Sequence, residues 1–470
     1  MSIDAFLGAA RQAALVRARQ ISPVELVQTY LDRIERLDAR LRAYITVTGA
    51  AALDAARRAE ETVTRRAALG PLHGVPFAVK DQFATRGVRT TAGSRILADH
   101  VPEEDATVVA RLTAAGGILL GKLNLTEFAL GGTIHFPFGQ PRNPWNTDHD
   151  TGGSSAGSGV AVAAALCAVS LGEDTGGSVR TPASWCGVAG HRPTWGLVSR
   201  HGCIPLSWSL DAPGPLARTV EDCALLLQVI AGRDARDALT TRRPAPDYRA
   251  ALTGEVRGLR VGVIRELTQG GETDPEVRAA VLAAVEVLRA LGATVDEVSL
   301  PLVPRAGAAF MAICDSEGAG RHLAWLRSRP GDYDEGTRRR LLAASLLPAT
   351  LFHKAQQARA LVRQQVLDAL RDHDVLVAPT SHRAAPTIAT FTAPITSTRE
   401  AAARFFTRRS FTTPAALAGT PALAVPCGFG ASGLPLSLQI IGRRFEDATV
   451  LRVGHAYEQS TDWHRRRPQL

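Results

Sequence analysis

Two segments rich in glycine and serine stand close together: Gly152-Gly153-Ser154-Ser155-Ala156-Gly157-Ser158 and Gly172-Glu173-Asp174-Thr175-Gly176-Gly177-Ser178-Val179-Arg180. Glycine lets backbone N–H groups converge on a point that side chains would otherwise block. Such loops suit either phosphate binding or the stabilisation of an oxyanion. A phosphate loop of the GxxxxGK[ST] kind needs a lysine, and neither segment holds one. Residues Gly153 to Gly157 have the spacing of a GxSxG nucleophile elbow, which requires an apolar strand immediately before it. The preceding Pro144-Trp145-Asn146-Thr147-Asp148-His149-Asp150-Thr151 is no strand, so that reading fails on context.

The chain carries only three lysines, Lys80, Lys122 and Lys354, against 51 arginines. Where arginine serves nearly every need for positive charge, a retained lysine is a candidate for what arginine cannot do, namely to lose its proton. Lys80 closes the apolar run Val75-Pro76-Phe77-Ala78-Val79, which reads as a short strand after a turn. Lys122, in LLGKLN, reads as one half of a structural ion pair.

The elements that must position these groups alternate in type. Residues 22–60 read as helices, with Ser22 as cap and Pro23 at the first helical position. Residues 105–116 read as helix and 117–121 as a buried strand. Residues 125–159 form a long irregular stretch, of the sort that carries function. Residues 159–171 are apolar on all faces, too uniform for a surface helix. Thr219 caps a helix over 219–232, with Glu221 and Asp222 in its first turn. Residues 233–258 are polar and carry Pro244 and Pro246, as an exposed connection would. A strand (259–264), a helix (275–291), a strand (294–299), a mainly helical stretch (305–372), three strands (375–379, 421–425, 436–441) and a helix from 447 follow. This alternation predicts an α/β protein, one domain built around a single large sheet.

Composition excludes several other classes. At 470 residues, 45% hydrophobic and 21% charged, the chain is that of an ordinary globular protein with a large core. It has no apolar run of membrane-spanning length, and the start, MSIDAFLGAARQAALVRARQ, reads as an amphipathic helix rather than a signal peptide. A cytoplasmic setting without membrane contact is expected. The six cysteines form no CxxC pair and the twelve histidines no HExxH spacing, which predicts reduced thiols, no metal and no other cofactor. The net charge of +9 comes from dispersed arginines, with only Arg338-Arg339-Arg340 and Arg465-Arg466-Arg467 clustered, and no nucleic-acid partner is expected.

The stretch GGSSAGSGVAVAAALCAVSLGEDTGGSVRTPA resembles the defining signature of the amidase signature family. The resemblance runs from ISPVELVQTYLDRIERLD through GVPFAVKD and PLSWSLDAPGPLARTVED to LPLSLQIIGRRFEDATVLRVGHAYE. It implies one amidase domain over residues 1–470, with a mixed central sheet covered by helices on both faces. Within it lie N-terminal helices over 1–65, a signature core over 66–232 and a more variable, substrate-shaping region over about 300–410. It also implies a catalytic triad of Lys80, Ser154 and Ser178, with Ser154 following a cis peptide bond, and an oxyanion hole of the backbone N–H groups of Thr175, Gly176, Gly177 and Ser178. Asp174, Arg180 and Ser155 are expected to support the loops, and Phe128, Ala129 and Leu130 to line the substrate pocket. Three positions depart from the family pattern: Ala156 replaces a glycine, Glu173 stands where a small hydroxyl residue is common, and His191 stands where an aliphatic one is more usual.

The implied chemistry suits these residue types. A serine hydroxyl is a poor nucleophile until a base takes its proton. In the expected relay neutral Lys80 accepts a proton from Ser154, and Ser154 accepts one from Ser178. Neutrality near pH 7 requires the lysine pKa to fall from about 10.4 by some three units, about 4 kcal/mol of environmental work, which burial beside Phe77 and Val79 can supply. The expected reaction is hydrolysis of a carboxamide C–N bond in a small molecule through a Ser178 acyl-enzyme, by a free-standing enzyme with a homodimer as the oligomeric expectation. Carbamate- or urea-type hydrolysis is one alternative. A second is the glutaminase subunit of a tRNA-dependent amidotransferase, in which an acidic residue before the AGTPALAVP-like segment helps bind glutamine; Arg409 stands at the matching position here. A catalytically silent binding protein is a third, which the intact Lys80, Ser154 and Ser178 oppose.

Overall fold

The computed structural model describes residues 3–130, 136–392 and 395–470, without the side chains of 391–392, 402–405 and 407–408. Its centre is a sheet of eleven strands: β1 (Tyr44–Val47), β2 (Pro76–Lys80), β3 (Ile118–Leu123), β4 (Val169–Glu173), β5 (Ala189–Arg192), β6 (Pro213–Ala217), β7 (Arg260–Ile264), β8 (Thr294–Val298), β9 (Val375–Pro379), β10 (Ala422–Phe429) and β11 (Pro435–Gly442). They lie in the order β1-β3-β2-β4-β6-β5-β10-β11-β9-β7-β8. Parallel pairs occur on both flanks, β3-β2-β4 and β9-β7-β8, and antiparallel pairs join them through the middle. Helices cover both faces of this mixed α/β sheet, as expected.

Strands β2, β4, β9 and β11 are buried along their whole length and are mostly apolar or small-residue runs, the pattern of strands covered on both faces, with Lys80, Glu173 and Gln439 as the large polar exceptions. The segment that is apolar on all sides resolves into two elements: a fully buried helix, Ala156–Ala163, and then β4. That helix packs against β2, β3, β4 and β6, so no face of it meets water. Besides β4, three strands escaped the sequence reading. β1 lies within the stretch read as helices over 22–60, separating helices Pro23–Leu41 and Gly49–Thr64. β5 (AGHR) and β6 (PGPLA) carry glycine and proline where strands usually carry β-branched residues, and their antiparallel partners hold them in the sheet.

The caps stand where the sequence places them. Ser22 Oγ accepts the N–H groups of Val24 and Glu25, and Thr219 Oγ1 accepts that of Asp222 at the start of helix Val220–Ile230. Lys122 is the expected ion-pair partner: buried, it lies 3.2 Å from Asp81 Oδ1 and donates to Phe83 O and Thr90 Oγ1. A second apolar cluster, outside the core that surrounds the sheet, is built by helices Ala306–Ser328, Glu335–Ser345 and Ala349–Asp372 with the segments around Phe128 and Leu206. No helix among the described residues is long and apolar enough to cross a membrane. Replacing Ser22 with Ala removes the acceptor for two end-of-helix N–H groups and should lower unfolding stability by about 1 kcal/mol, measurable as a shift of the urea midpoint at unchanged slope.

Candidate active site

β2 and β4 run side by side and parallel, so their ends deliver Lys80 and Glu173 to the same region. The backbone leaving β4 forms the Asp174–Val179 loop, and the other glycine loop enters helix Ala156–Ala163 beside it, with Ser155 N–H donating to Ser178 O at 3.2 Å. Lys80 is wholly buried, and its Nζ lies 2.7 Å from Ser154 Oγ. The Gly153–Ser154 peptide bond is cis. Ser178 is partly exposed and faces, together with Ser154, a cavity of about 80 Å³. No hydrogen bond joins the two hydroxyls among the described residues, and contacts of this kind commonly close only around substrate.

Burial pushes the Lys80 pKa below that of a free lysine, which favours the neutral amine a base requires. The Glu173 carboxylate opposes this: its Oε2 lies 3.5 Å from Lys80 Nζ. An amine so placed can take a proton from Ser154, and Ser154 can in turn take one from a hydroxyl brought within reach.

The loop is held by a buried charge cluster. Asp174 Oδ1 accepts from Arg180 Nη2 at 2.9 Å and Arg192 Nη1 at 3.1 Å, and Oδ2 accepts from Arg180 Nε at 3.0 Å. The N–H groups of Gly177, Val179 and Arg180 also converge on this carboxylate. Burial alone would raise its pKa, but the two guanidinium groups and the N–H donors hold it well below the usual carboxylate range. Arg180 reaches on to Thr412 O and Gln439 Oε1, tying the loop to β11. Asp174, Arg180 and Ser155 all contact the loops; Ser155 Oγ donates to Glu173 O. Arg192 was not anticipated, since nothing in GHRPTWG distinguishes a buried arginine from a surface one.

Two of the expected contacts differ. Gly177 N–H, expected among the oxyanion donors, is 2.7 Å from Asp174 Oδ1 and is engaged inside the loop. Phe128, expected in the pocket, instead packs with His322, Trp325 and Tyr333 at ring separations of 4.4, 5.6 and 5.8 Å. The backbone passes through the left-handed region at Phe128 and Ala129 (φ 49° and 56°), which parts their side chains. Ala129 and Leu130 do line the cavity. A Cβ would press on a neighbour at both central glycines. A Cβ on Gly176 would fall 2.3 Å from the Phe310 ring, and one on Gly177, at φ +134°, 2.3 Å from Thr412 Oγ1.

The far wall comes from the region expected to shape the substrate: Phe310, Cys314, Arg340, Arg409 and Thr412. Arg340 is bound by Asp315 through Nε and Nη2 and donates to Leu130 O. Apart from Arg409, these residues carried no local signal, because each sits in a helix or turn of ordinary composition.

A lysine, two serines and two glycine loops on adjoining strand ends match a known pattern of sequence as well as of geometry. The amidase family model matches residues 25–451, and the chain belongs to that family. It is 44% identical to a glutamyl-tRNA(Gln) amidotransferase subunit from Roseiflexus sp. (strain RS-1), over 97% of this chain and 96% of the relative. Among solved structures it superposes with a TM-score of 0.91 at 34% identity on one from a vestigial protein complex that reveals the evolutionary origins of an s-triazine catabolic enzyme, covering 99% of this chain and 100% of that one. A bacterial aryl acylamidase of the amidase signature enzymes gives 0.89 at 27% identity, covering 98% of each.

Replacing Asp174 with Ala leaves two buried guanidinium groups without their counter-charge and should destabilise the protein by about 3–5 kcal/mol, read by denaturant unfolding. Because the native pKa of Asp174 lies below its unfolded value of 3.8, its contribution is complete above about pH 4 and is lost as pH falls through the native value. Acid titration of native and variant protein should therefore converge at low pH.

Proposed function

We propose that this chain hydrolyses a carboxamide C–N bond of a small molecule through an acyl-enzyme on Ser178, releasing amine or ammonia. The observation that carries the reading is the 2.7 Å contact between buried Lys80 Nζ and Ser154 Oγ, beside a partly exposed Ser178 in one cavity. Neutral Lys80 takes the Ser154 proton while Ser154 takes that of Ser178. Ser178 Oγ attacks the carbonyl carbon, and the N–H groups of Gly176 and Ser178, with that of Thr175, bind the developing oxyanion. The proton returns through Ser154 to the leaving nitrogen, without which an amide anion would have to depart. Water, activated by the same pair of groups, then clears the ester.

The charge at position 409 supports a free-standing hydrolase. Arg409 lines the pocket, and no carboxylate does among the described lining residues; Arg340 lines it too but is paired with Asp315. A guanidinium group at position 409 disfavours the ammonium group of glutamine. The second reading is a glutaminase subunit of a tRNA-dependent amidotransferase, working with partner proteins. It is favoured by the 44% identity, over nearly the full chain, with the Roseiflexus amidotransferase protein, more directly than the comparisons favour the first. Carbamates and ureas, whose carbonyl an activated serine can attack in the same way, belong among the substrates to be tried.

Turnover of aryl and alkyl amides, carbamates and ureas, measured beside ammonia release from glutamine, separates the readings. Ser178→Ala should lower kcat by about 10⁴-fold or more on whichever substrate is turned over; full turnover by this variant would overturn the mechanism. Glutamine as the preferred substrate would replace the first reading with the second. Arg409→Asp should shift the ratio of kcat/KM for glutamine over a neutral amide upward by about tenfold, or roughly 1.4 kcal/mol.

A further inference from the structure

Glu173, which stands where the family resemblance leads one to expect a small hydroxyl residue, is wholly buried at the end of β4. Its two oxygens face opposite ways. Oε2 lies 3.5 Å from Lys80 Nζ and 3.5 Å from Gln82 Nε2, while Oε1 lies 2.9 Å from Thr175 Oγ1. The same Thr175 hydroxyl lies 2.8 Å from Asp211 Oδ1. A hydroxyl has one proton to donate, so it can donate to only one of these carboxyl groups and must accept from the other. One proton therefore resides on the Glu173–Asp211 pair. Asp211, which also receives the backbone N–H groups of Leu206 and Ser207, lines a second cavity of about 240 Å³ with Arg200, Cys203 and Trp208.

We propose that Glu173 is a positioning residue that sets the proton affinity of Lys80 through a carboxylate facing its amine, with Asp211 holding the proton of the carboxyl pair. This rests on Lys80 acting as the base. When Lys80 takes the Ser154 proton, the ammonium formed faces an ionised Glu173, and the attraction stabilises the charge at the moment acylation creates it. Burial and the neighbouring Glu173 charge push the Asp211 pKa well above the usual carboxylate range, consistent with Asp211 as donor to Thr175 and Thr175 as donor to Glu173. The other groups facing this cluster are the Cys203 thiol with Gln82 on one side, Arg192 with Asp174 on another, and Cys314 from helix Ala306–Ser328. Glu317 lies one contact further out, on the Ser207 hydroxyl.

A carboxylate opposite Lys80 raises its proton affinity, so the amine becomes free at a higher pH than it would otherwise. The test is the pH profile of kcat/KM on the best substrate found for the native enzyme. Glu173→Gln should move the acid limb to lower pH by about one unit, a tenfold change in proton concentration. KM should change less than about twofold and the plateau rate should fall, since a weaker base takes the proton less readily. Glu173→Asp should return part of the limb towards the native position. If Glu173→Gln does not fold, Glu173→Ser, which restores the family's small hydroxyl, gives the same reading. Asp211→Asn substitutes one neutral group for another and should leave the limb in place. An acid limb unmoved in the Glu173 variants overturns the inference, and so does one moved as far by Asp211→Asn as by Glu173→Gln. Loss of turnover in Ser178→Ala together with an unmoved limb in Glu173→Gln sinks this inference alone; persistent turnover in Ser178→Ala sinks the reading beneath it.

Discussion

The carboxylate of Asp174 holds the loop on which the rest of the site depends. In its first turn the chain leaving β4 brings three backbone N–H groups onto one buried anion. Two guanidinium groups from different elements approach the same anion, Arg180 from the helix that follows and Arg192 from β5. A charge this deep is tolerated only when its lone pairs are filled. Meeting that demand sets the position of Ser178, the path of the backbone at Gly176 and Gly177, and the distance from the loop to β11 through Arg180 and Gln439. The geometry around the hydroxyl is thus largely a by-product of satisfying a carboxylate that no substrate touches.

Lysine is used sparingly, and two of its three occurrences show why. Lys122 is buried against Asp81, two carbonyl and hydroxyl acceptors completing its shell. Lys80, one residue before Asp81, is buried without an equally close carboxylate; its nearest polar contact is a serine hydroxyl. The same side chain on neighbouring strands therefore meets a close carboxylate in one place and a serine hydroxyl in the other, while burial lowers the pKa of both. Lys354, exposed on its helix, carries no such constraint.

The sequence made legible those features whose cause is local. Ser22 and Thr219 cap their helices because the capping hydrogen bond spans two or three residues. The apolar strands β2, β7 and β9 declare themselves by composition, and the two glycine loops by theirs. What stayed hidden depends on partners distant in the chain. β5 and β6 are strands because β4 and β10 pair with them, in spite of their glycines and prolines. Arg192 and Asp211 look like surface residues until the fold surrounds them. Phe128 resembled a pocket residue because its neighbours are pocket residues, yet aromatic packing with a helix some two hundred positions away draws it aside. Gly177 belongs to the run of donors that the family resemblance implies, but Asp174, only three residues earlier, competes for its N–H.

The two apolar clusters meet across the cavity. The strands and loops bearing Lys80, Ser154 and Ser178 grow out of the core that surrounds the sheet, whereas Leu130, Leu206, Phe310 and Cys314 belong to the cluster built by the later helices. Each cluster keeps its own packing, so a substitution on the helical side perturbs its own neighbours before it reaches the strand ends. Packing alone thus lets the helical cluster vary while the strand ends that carry Lys80, Ser154 and Ser178 keep their own neighbours.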